Sequence, residues 1–188
     1  MKKNSSKGFT LIELIVTLTV GAILFAVAIP AYKSTMTRNR IETLMSELTR
    51  SLNIARSEAI KRGTTVTVCK SADQTNCGGT WSNGWIVFSD QNKDGSVDAG
   101  DELLQAKDTT DQGLSMKYAA FPSSSYVQFL GTGFTKQQNG TFTACGISNN
   151  VKNARAVIIY KTGRARQSID SDNDGIYENG SGNALTCS

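Results

Sequence analysis

The sequence contains no histidine among its 188 residues. Catalytic triads and cysteine–histidine pairs need an imidazole to move a proton, and histidine is also a usual ligand of zinc. These classes of site are therefore excluded for this chain. Carboxylate pairs remain, but they lie in Asp- and Gly-rich segments typical of turns or cation sites, so we do not predict an enzyme.

The chain also has little excess of either charge, since it contains 20 Lys and Arg residues and 16 Asp and Glu residues. Three of the basic residues, Lys2, Lys3 and Lys7, precede a long apolar run, and the rest of the chain is almost neutral. Net charge alone therefore says little about partners. The length allows one soluble domain beside the apolar run.

The apolar run covers residues 8–32, and sixteen residues from Leu14 to Ile29 carry no charge. A helix of roughly 20 apolar residues spans a bilayer, so the run predicts a membrane helix. Glu13 lies near its start. A carboxylate at membrane depth is costly, which indicates a function and a partner for this side chain.

Positive charge before the run places the N-terminus in the cytoplasm and the remainder outside it. No small-residue cleavage site of a secretory signal follows the run. The basic leader, the Gly8–Phe9 junction and Glu13 together resemble the type IV pilin signature. The resemblance implies that a prepilin peptidase cuts between Gly8 and Phe9 and methylates Phe9, and that Glu13 pairs with the Phe9 amine and with that of a neighbouring pilin.

The same resemblance implies an inner-membrane protein with a periplasmic head, later part of a pilus at the surface of a Gram-negative cell. Its expected partners are the peptidase and other major and minor pilins. The alternative is an uncleaved anchor whose Glu13 reaches toward the membrane interface.

After Pro30 the pattern becomes amphipathic, with apolar residues at three- and four-residue steps: Ile41, Leu44, Met45, Leu48, Leu52, Ala55 and Ala59. We therefore predict one long helix from Phe9 to Arg62, kinked or locally melted at Pro30. The predicted regions are a leader (1–8), a membrane or filament-core helix (9–31), an amphipathic helix packed on the head (32–62) and a β-rich globular domain (63–188).

Beyond Thr64 the hydrophobic period falls to two, which predicts six strands within residues 64–70, 84–90, 114–119, 126–131, 140–147 and 154–161. The fold class is therefore α+β, with a long helix packed on an antiparallel sheet. RSEAIKRGTTVTVC, GWIVFSDQNKDGSVDAGDELL and VIIYKTGRAR resemble minor pilins of the GspH/FimT/FimU type. This implies a type IV pilus subunit that assists assembly; the alternatives are a type II secretion pseudopilin and a purely structural priming subunit.

Four cysteines in an exported domain predict two disulfides, for which three connectivities exist. We favour Cys69 with Cys77, which would close a short polar loop, and Cys145 with Cys187, which would tie the tail to a central strand.

Two acidic loops have the spacing of calcium-binding loops. In the first acidic loop (90–101) the candidate ligands are Asp90, Asn92, Asp94, Asp98 and Asp101; in the second acidic loop (170–181) they are Asp170, Asp172, Asp174 and Glu178. Calcium is therefore a candidate cofactor. The alternative is that Asp, Asn and Gly simply form turns.

Residues 151–166 contain five basic residues and no acid: Lys152, Arg155, Lys161, Arg164 and Arg166. The segment GRAR resembles the G-R-x-R pattern with which the FimT branch binds DNA during natural transformation. The resemblance implies a contact with double-stranded DNA at Gly163, Arg164 and Arg166, helped by Lys161. The alternative is a solvated sheet edge or a contact with a neighbouring pilin.

Overall fold

A computed structural model describes residues 10–109 and 113–187 of the chain. The predicted leader and the Gly8–Phe9 junction lie outside the described residues. Internal contacts divide the chain into two units, Met1–Thr37 and Arg38–Ser188, each of which is described by itself. We call the described part of the first unit the anchor (10–37) and that of the second the head (38–109 and 113–187).

Helix α1 extends over Leu11–Arg62 and contributes to both units. It ends where Gly63 takes a positive φ of 65°, a conformation that glycine adopts at low cost, and Lys61 and Arg62 complement the helix dipole in the last turn. The helix continues through Pro30. The expected local melting at this residue is therefore wrong, because the loss of one N–H donor does not interrupt the neighbouring turns. A kink, the other expectation for Pro30, stays a prediction.

The head contains eight strands in the part of the chain that the structure describes. They are β1 (Val66–Lys70), β2 (Gly84–Ser89), β3 (Leu103–Asp108), β4 (Leu114–Phe121), β5 (Tyr126–Phe129), β6 (Asn139–Gly146), β7 (Arg155–Ile159) and β8 (Ala165–Gln167). They form two antiparallel four-stranded sheets, ordered β3-β2-β1-β5 and β4-β6-β7-β8.

All six predicted strands are present, but β3 and β8 were not predicted. Strand β3 is only partly buried, and its sequence LLQAKD lacks β-branched and aromatic residues. Strand β8 has three residues and pairs with β7 from Val157↔Gln167 to Ile159↔Ala165. A run this short carries no readable period, so tertiary pairing decides its structure.

The amphipathic stripe predicted on α1 is buried in the head at all seven positions. It packs in one core cluster with residues from both sheets, including Trp85 of β2, Phe129 of β5 and Phe142 of β6, all fully buried. Inward-facing residues of both sheets and one helix face therefore share a single core. This arrangement leaves the outer face and edge of β8, and the two acidic loops, available for function.

Candidate functional site

The start of α1 holds the carboxylate of Glu13. The N–H and the hydroxyl of Thr10 each donate to Oε2 of Glu13 at 3.0 Å, and the N–H of Glu13 donates to Oγ1 of Thr10 at 3.3 Å. This reciprocal pair is a capping box, which satisfies donors that a helix start leaves free. The sequence analysis missed it, although Thr10 followed three residues later by Glu13 is a readable signal.

Large apolar side chains cover the anchor, and they are exposed. The exposed residues are Leu11, Ile12, Leu14, Ile15, Val16, Leu18, Val20, Ile23, Leu24, Phe25, Val27 and Ile29. Among the described residues, α1 is the one helix with an 18-residue window apolar enough to cross a membrane, and none of that window is buried. An isolated anchor therefore presents an apolar surface on all sides, which water does not favour.

The GRAR segment covers the end of the turn between β7 and β8, which contains Arg164, and the start of β8, which contains Arg166. The N–H of Tyr160 donates to the carbonyl of Arg164 at 3.0 Å, which closes the turn and directs the chain into β8. Ala165 packs against the core cluster. Because side chains alternate along a strand, Arg166 lies on the face of β8 opposite to Ala165. Arg164 precedes the strand, so a face shared by the two arginines stays a prediction.

The two arginines differ in how they are held. Arg166 is half-buried, and its Nε donates to the hydroxyl of Tyr160 at 2.8 Å. Arg164 is exposed, and within residues 10–109 and 113–187 its guanidinium has no hydrogen-bond or ion-pair partner. Lys161 is also exposed. The segment therefore combines one oriented guanidinium, that of Arg166, with two exposed cations.

Gly163 is buried, and its role is in packing. Its φ is 76°, and a Cβ there would collide with the carbonyl oxygen of Gly133. That carbonyl accepts a hydrogen bond from Nε of Arg56 in α1 at 3.0 Å. Glycine is thus needed for a close backbone approach that joins the turn to the helix.

Arg155, the remaining arginine of the basic segment, is withdrawn from solvent at 6% exposure. Its guanidinium lies 3.8 Å from the ring centroid of Tyr177 and donates to Oε1 of Glu42 at 3.2 Å. Glu42 also accepts from Arg38 at 2.9 Å. The hydrogen bond from Arg38, with the attraction of Arg155, lowers the pKa of Glu42, while burial opposes the shift.

The first acidic loop is built around a fully buried carboxylate, that of Asp90. Its Oδ2 accepts from the hydroxyl of Thr67 at 2.6 Å, the amide of Gln128 at 2.7 Å and the N–H of Gly95 at 3.1 Å. The loop is therefore tied to two neighbouring strands of the first sheet, β1 and β5.

The other carboxylates of this loop find donors within it. The side-chain amide of Asn92 donates to Asp94 at 3.0 Å and to Asp98 at 2.8 Å. Asp101 accepts the N–H groups of Gln91 at 3.1 Å and of Asp98 at 3.0 Å. An amide thus lies between two of the candidate ligands.

The second acidic loop brings its four candidate ligands together. One carboxylate oxygen from each of Asp170, Asp172, Asp174 and Glu178 lies within 4.8 Å of the others. Glu178 is only 8% exposed, and its Oε2 accepts from the N–H and the hydroxyl of Ser171, both at 2.9 Å.

Both disulfides join the pairs that the sequence analysis favoured, Cys69 with Cys77 and Cys145 with Cys187. The second joins β6 to the tail, whose Leu185 is buried in the same small cluster. The tail, including the second acidic loop, is therefore fastened to the second sheet at its far end.

Comparisons with known proteins agree with this architecture. The family model described as "Type II transport protein GspH" matches residues 44–163, and that of the "Prokaryotic N-terminal methylation motif" matches residues 3–29. A type IV major fimbrial protein FimA of Dichelobacter nodosus is 34% identical over 116 residues, which cover 62% of this chain. The chain spans 64% of the length of that relative.

Two solved structures share the fold. The type IV minor pilin FimU of Pseudomonas aeruginosa matches with a TM-score of 0.56 at 22% identity, over 70% of this chain and 90% of that one. The minor pseudopilin EpsH from the Type 2 Secretion System of Vibrio cholerae matches with a TM-score of 0.50 at 13% identity, over 68% and 94%. The GspH family model matches more than half of this chain, so the chain belongs to the GspH family. It has the fold of a type IV minor pilin or pseudopilin.

Proposed function

We propose that this protein is a minor pilin of a type IV pilus that assists pilus assembly. The observation that carries the proposal is the exposed apolar anchor. Its side chains find no core within their own unit, so they need either the hydrocarbon of the inner membrane or the helices of neighbouring pilins. A subunit that moves from membrane to filament exchanges one apolar environment for the other.

Cleavage between Gly8 and Phe9 by a prepilin peptidase would create the charge partner that Glu13 needs. The new amine of Phe9 would stand four residues before Glu13, and in a filament the amine of a neighbouring subunit would be available as well. Removing one member of a buried ion pair costs about 3–5 kcal/mol, so this pairing would fix the register between subunits. The capping box with Thr10 positions the same carboxylate at the helix start.

The proposal is tested on pili sheared from the host bacterium. We expect mass spectrometry to find an N-methylated Phe9 peptide from this protein in the pilus fraction. A Glu13→Ala variant should stay in the membrane and be missing from pili, whereas Glu47→Ala, in the head, should enter them normally. A leader still attached to the protein recovered from pili, or normal entry of Glu13→Ala into pili, would contradict the proposal.

A role in type II secretion is the competing assignment, because GspH is named after that system and EpsH shares the fold. The fimbrial relative and the higher TM-score of FimU favour the pilus. Deleting the gene should therefore reduce the number of pili on the cell. Loss of protein secretion with normal piliation would favour the pseudopilin instead.

Binding of double-stranded DNA is a second proposed function, and it rests on the turn between β7 and β8. Arg164 and Lys161 are exposed, and the guanidinium of Arg166, two residues from Arg164, is oriented by Tyr160. Guanidinium groups suit phosphate oxygens, which they contact in pairs of parallel hydrogen bonds. Gly163 would serve by shaping the turn, not by touching DNA.

Titration of the mature protein in detergent micelles with a DNA duplex tests this function. Two phosphate contacts predict weak binding whose logarithm falls with the logarithm of salt concentration at a slope of about −2. The Arg164→Ala/Arg166→Ala variant should lose this binding, while Arg50→Ala/Lys61→Ala, which removes two cations from α1, should retain it. Equal affinity of the two variants would remove the DNA function and leave the pilin assignment unaffected.

A further inference from the structure

The two acidic loops have the same hydrogen-bonding pattern, although the first lies between β2 and β3 and the second follows β8. The first residue of each loop accepts the N–H of its sixth: Gly95 donates to Oδ2 of Asp90 at 3.1 Å, and Gly175 donates to Oδ2 of Asp170 at 3.0 Å. The sixth residues have φ values of 83° and 87°. Each loop thus turns sharply around the carboxylate at its first position.

The agreement extends through the rest of the turn. The fifth residue of each loop accepts the N–H of its seventh, at 2.8 Å in Ser96 to Asp94 and at 2.7 Å in Ile176 to Asp174. The fourth residues, Lys93 and Asn173, both have a positive φ, of 64° and 62°. The loops are therefore two copies of one local structure, and they can be compared position by position.

The third position separates the two loops. In the first acidic loop it is Asn92, whose amide donates to both Asp94 and Asp98. In the second it is Asp172, whose side chain has no N–H group to donate. Four carboxylate oxygens then lie within 4.8 Å of one another, and none of the salt bridges within the described chain involves them. Like charges this close repel one another unless a cation lies between them.

One of these carboxylates is buried, and one oxygen of a second, half-buried carboxylate is shielded from water. Oδ1 of Asp170 is buried and has no hydrogen-bond partner, while the other oxygen of this group is used by Gly175. Glu178 is more than nine-tenths buried. A buried carboxylate oxygen without a donor is costly, and Oδ1 of Asp90 in the first acidic loop is in the same situation. In the second acidic loop this oxygen belongs to one of four converging carboxylates, and the two observations together indicate a ligand that the protein itself does not supply.

We propose that the second acidic loop binds a calcium ion through Asp170, Asp172, Asp174 and Glu178. All of these ligands are oxygens, and the seventh-position carbonyl, here that of Ile176, is a further oxygen in loops of this spacing. Calcium accepts six to eight oxygen ligands with flexible geometry, whereas zinc prefers nitrogen and sulfur, and the chain's four cysteines are all in disulfides. The site goes beyond the filament role and does not depend on it.

The fold supports this site from both ends. Before the loop, the N–H of Ser168 donates to the carbonyl of Ala156 in β7 at 2.8 Å. At the other end, Glu178 of the loop forms an isolated β-bridge with Ala184 beyond it, and Cys187 is joined to Cys145. Calcium would therefore connect the two arms of the tail between β8 and the disulfide, and we expect it to stabilise the head.

Calcium titration of the chelator-treated mature protein in detergent micelles tests the site. A hundredfold excess over Kd should raise the Tm of the head by about 5–10 °C, because a ligand that binds only the folded state stabilises it. Asp174→Asn keeps the side-chain oxygen that accepts from Ile176 but removes a charge, so the shift should disappear. Asp94→Asn makes the same change at the same position of the first acidic loop, and the shift should remain.

Terbium luminescence provides a readout that does not depend on removing a ligand. Each loop has its own tyrosine, since Tyr177 lies within the second acidic loop and the ring of Tyr126 contacts Gly95 in the first. Tyr177→Phe should abolish the sensitised emission of bound Tb³⁺, Tyr126→Phe should preserve it, and excess Ca²⁺ should quench it. No Tm shift of the parent at millimolar calcium, an unchanged shift in Asp174→Asn, or emission lost only in Tyr126→Phe would overturn the proposal.

Discussion

The anchor and the head use the same helix in opposite ways. In the anchor, apolar side chains surround α1 and all the large ones are exposed; in the head, one stripe of seven apolar side chains on α1 is buried. Helix formation is therefore not what distinguishes the two units. The difference lies in where the stabilising contacts come from: the head contains its own, whereas the large apolar side chains of the anchor are exposed within their unit.

Removing the disulfide between Cys145 and Cys187 should have the largest effect: it should lower the stability of the head and leave the anchor unchanged. Replacing Cys145 and Cys187 by serine opens a link across 42 residues, which the loop-entropy model equates with about 4 kcal/mol of unfolding free energy. Urea unfolding followed by the fluorescence of the buried Trp81 and Trp85 measures this loss in the head. The helicity of the anchor in micelles should not change.

The other disulfide provides the control for this experiment. Cys69 and Cys77 are only 8 residues apart, so the same model gives about 2.5 kcal/mol for their replacement. Equal losses for the two pairs would show that loop length does not set the contribution of either disulfide.

A smaller effect is expected when one leucine is truncated in each half of α1. Leu48 is fully buried in the head, and Leu48→Ala should lower the unfolding free energy by about 3 kcal/mol through lost burial and a cavity. Leu18 is 65% exposed in the anchor, so Leu18→Ala should leave urea unfolding of the head unchanged. An equal loss in both variants would mean that the anchor is part of the head's cooperative unit.

The sequence predicted the features that depend on local pattern. The seven buried positions of α1 follow from helical spacing, and the long apolar run follows from composition. Strand β8 could not be predicted, because three residues have no period and their structure depends on pairing with β7. The burial of Arg155 could not be predicted from the sequence either. Its partners are Glu42, which lies in α1, and Tyr177, which lies in the second acidic loop, and only the fold brings them together.

The acidic loops show the same limit at the level of a site. Their ligand spacing was visible in the sequence and appeared better in the first loop, which has a carboxylate at its twelfth position. The geometry instead favours the second, because the carboxylates converge only where Asp172 replaces the amide of Asn92. Spacing can identify a loop type. Whether the carboxylates of the loop already accept hydrogen bonds from a donor within it depends on side-chain orientation.

The smallest expected effect is the pH dependence that Glu42 gives to the head. Its pKa is lowered from the ordinary value of 4.5, first by the hydrogen bond from Arg38 and then by the attraction of Arg155. A carboxyl group whose pKa is lower in the folded state stabilises that state above pH 4.5, and this contribution is lost as the pH falls through the folded pKa. Because the side chain is 44% exposed, we expect less than about 1 kcal/mol.

Melting curves of Glu42→Gln measure this contribution. At pH 7 the variant should melt slightly below the parent protein, and the two Tm values should converge as the pH falls below 4.5, where the parent's carboxylate becomes protonated. Glu13→Gln changes a carboxylate in the anchor, so the head of that variant should follow the parent at every pH. If Glu13→Gln instead reproduced the convergence, the pH dependence would originate in the anchor, and the ion pairs of Glu42 would have no measurable part in the stability of the head.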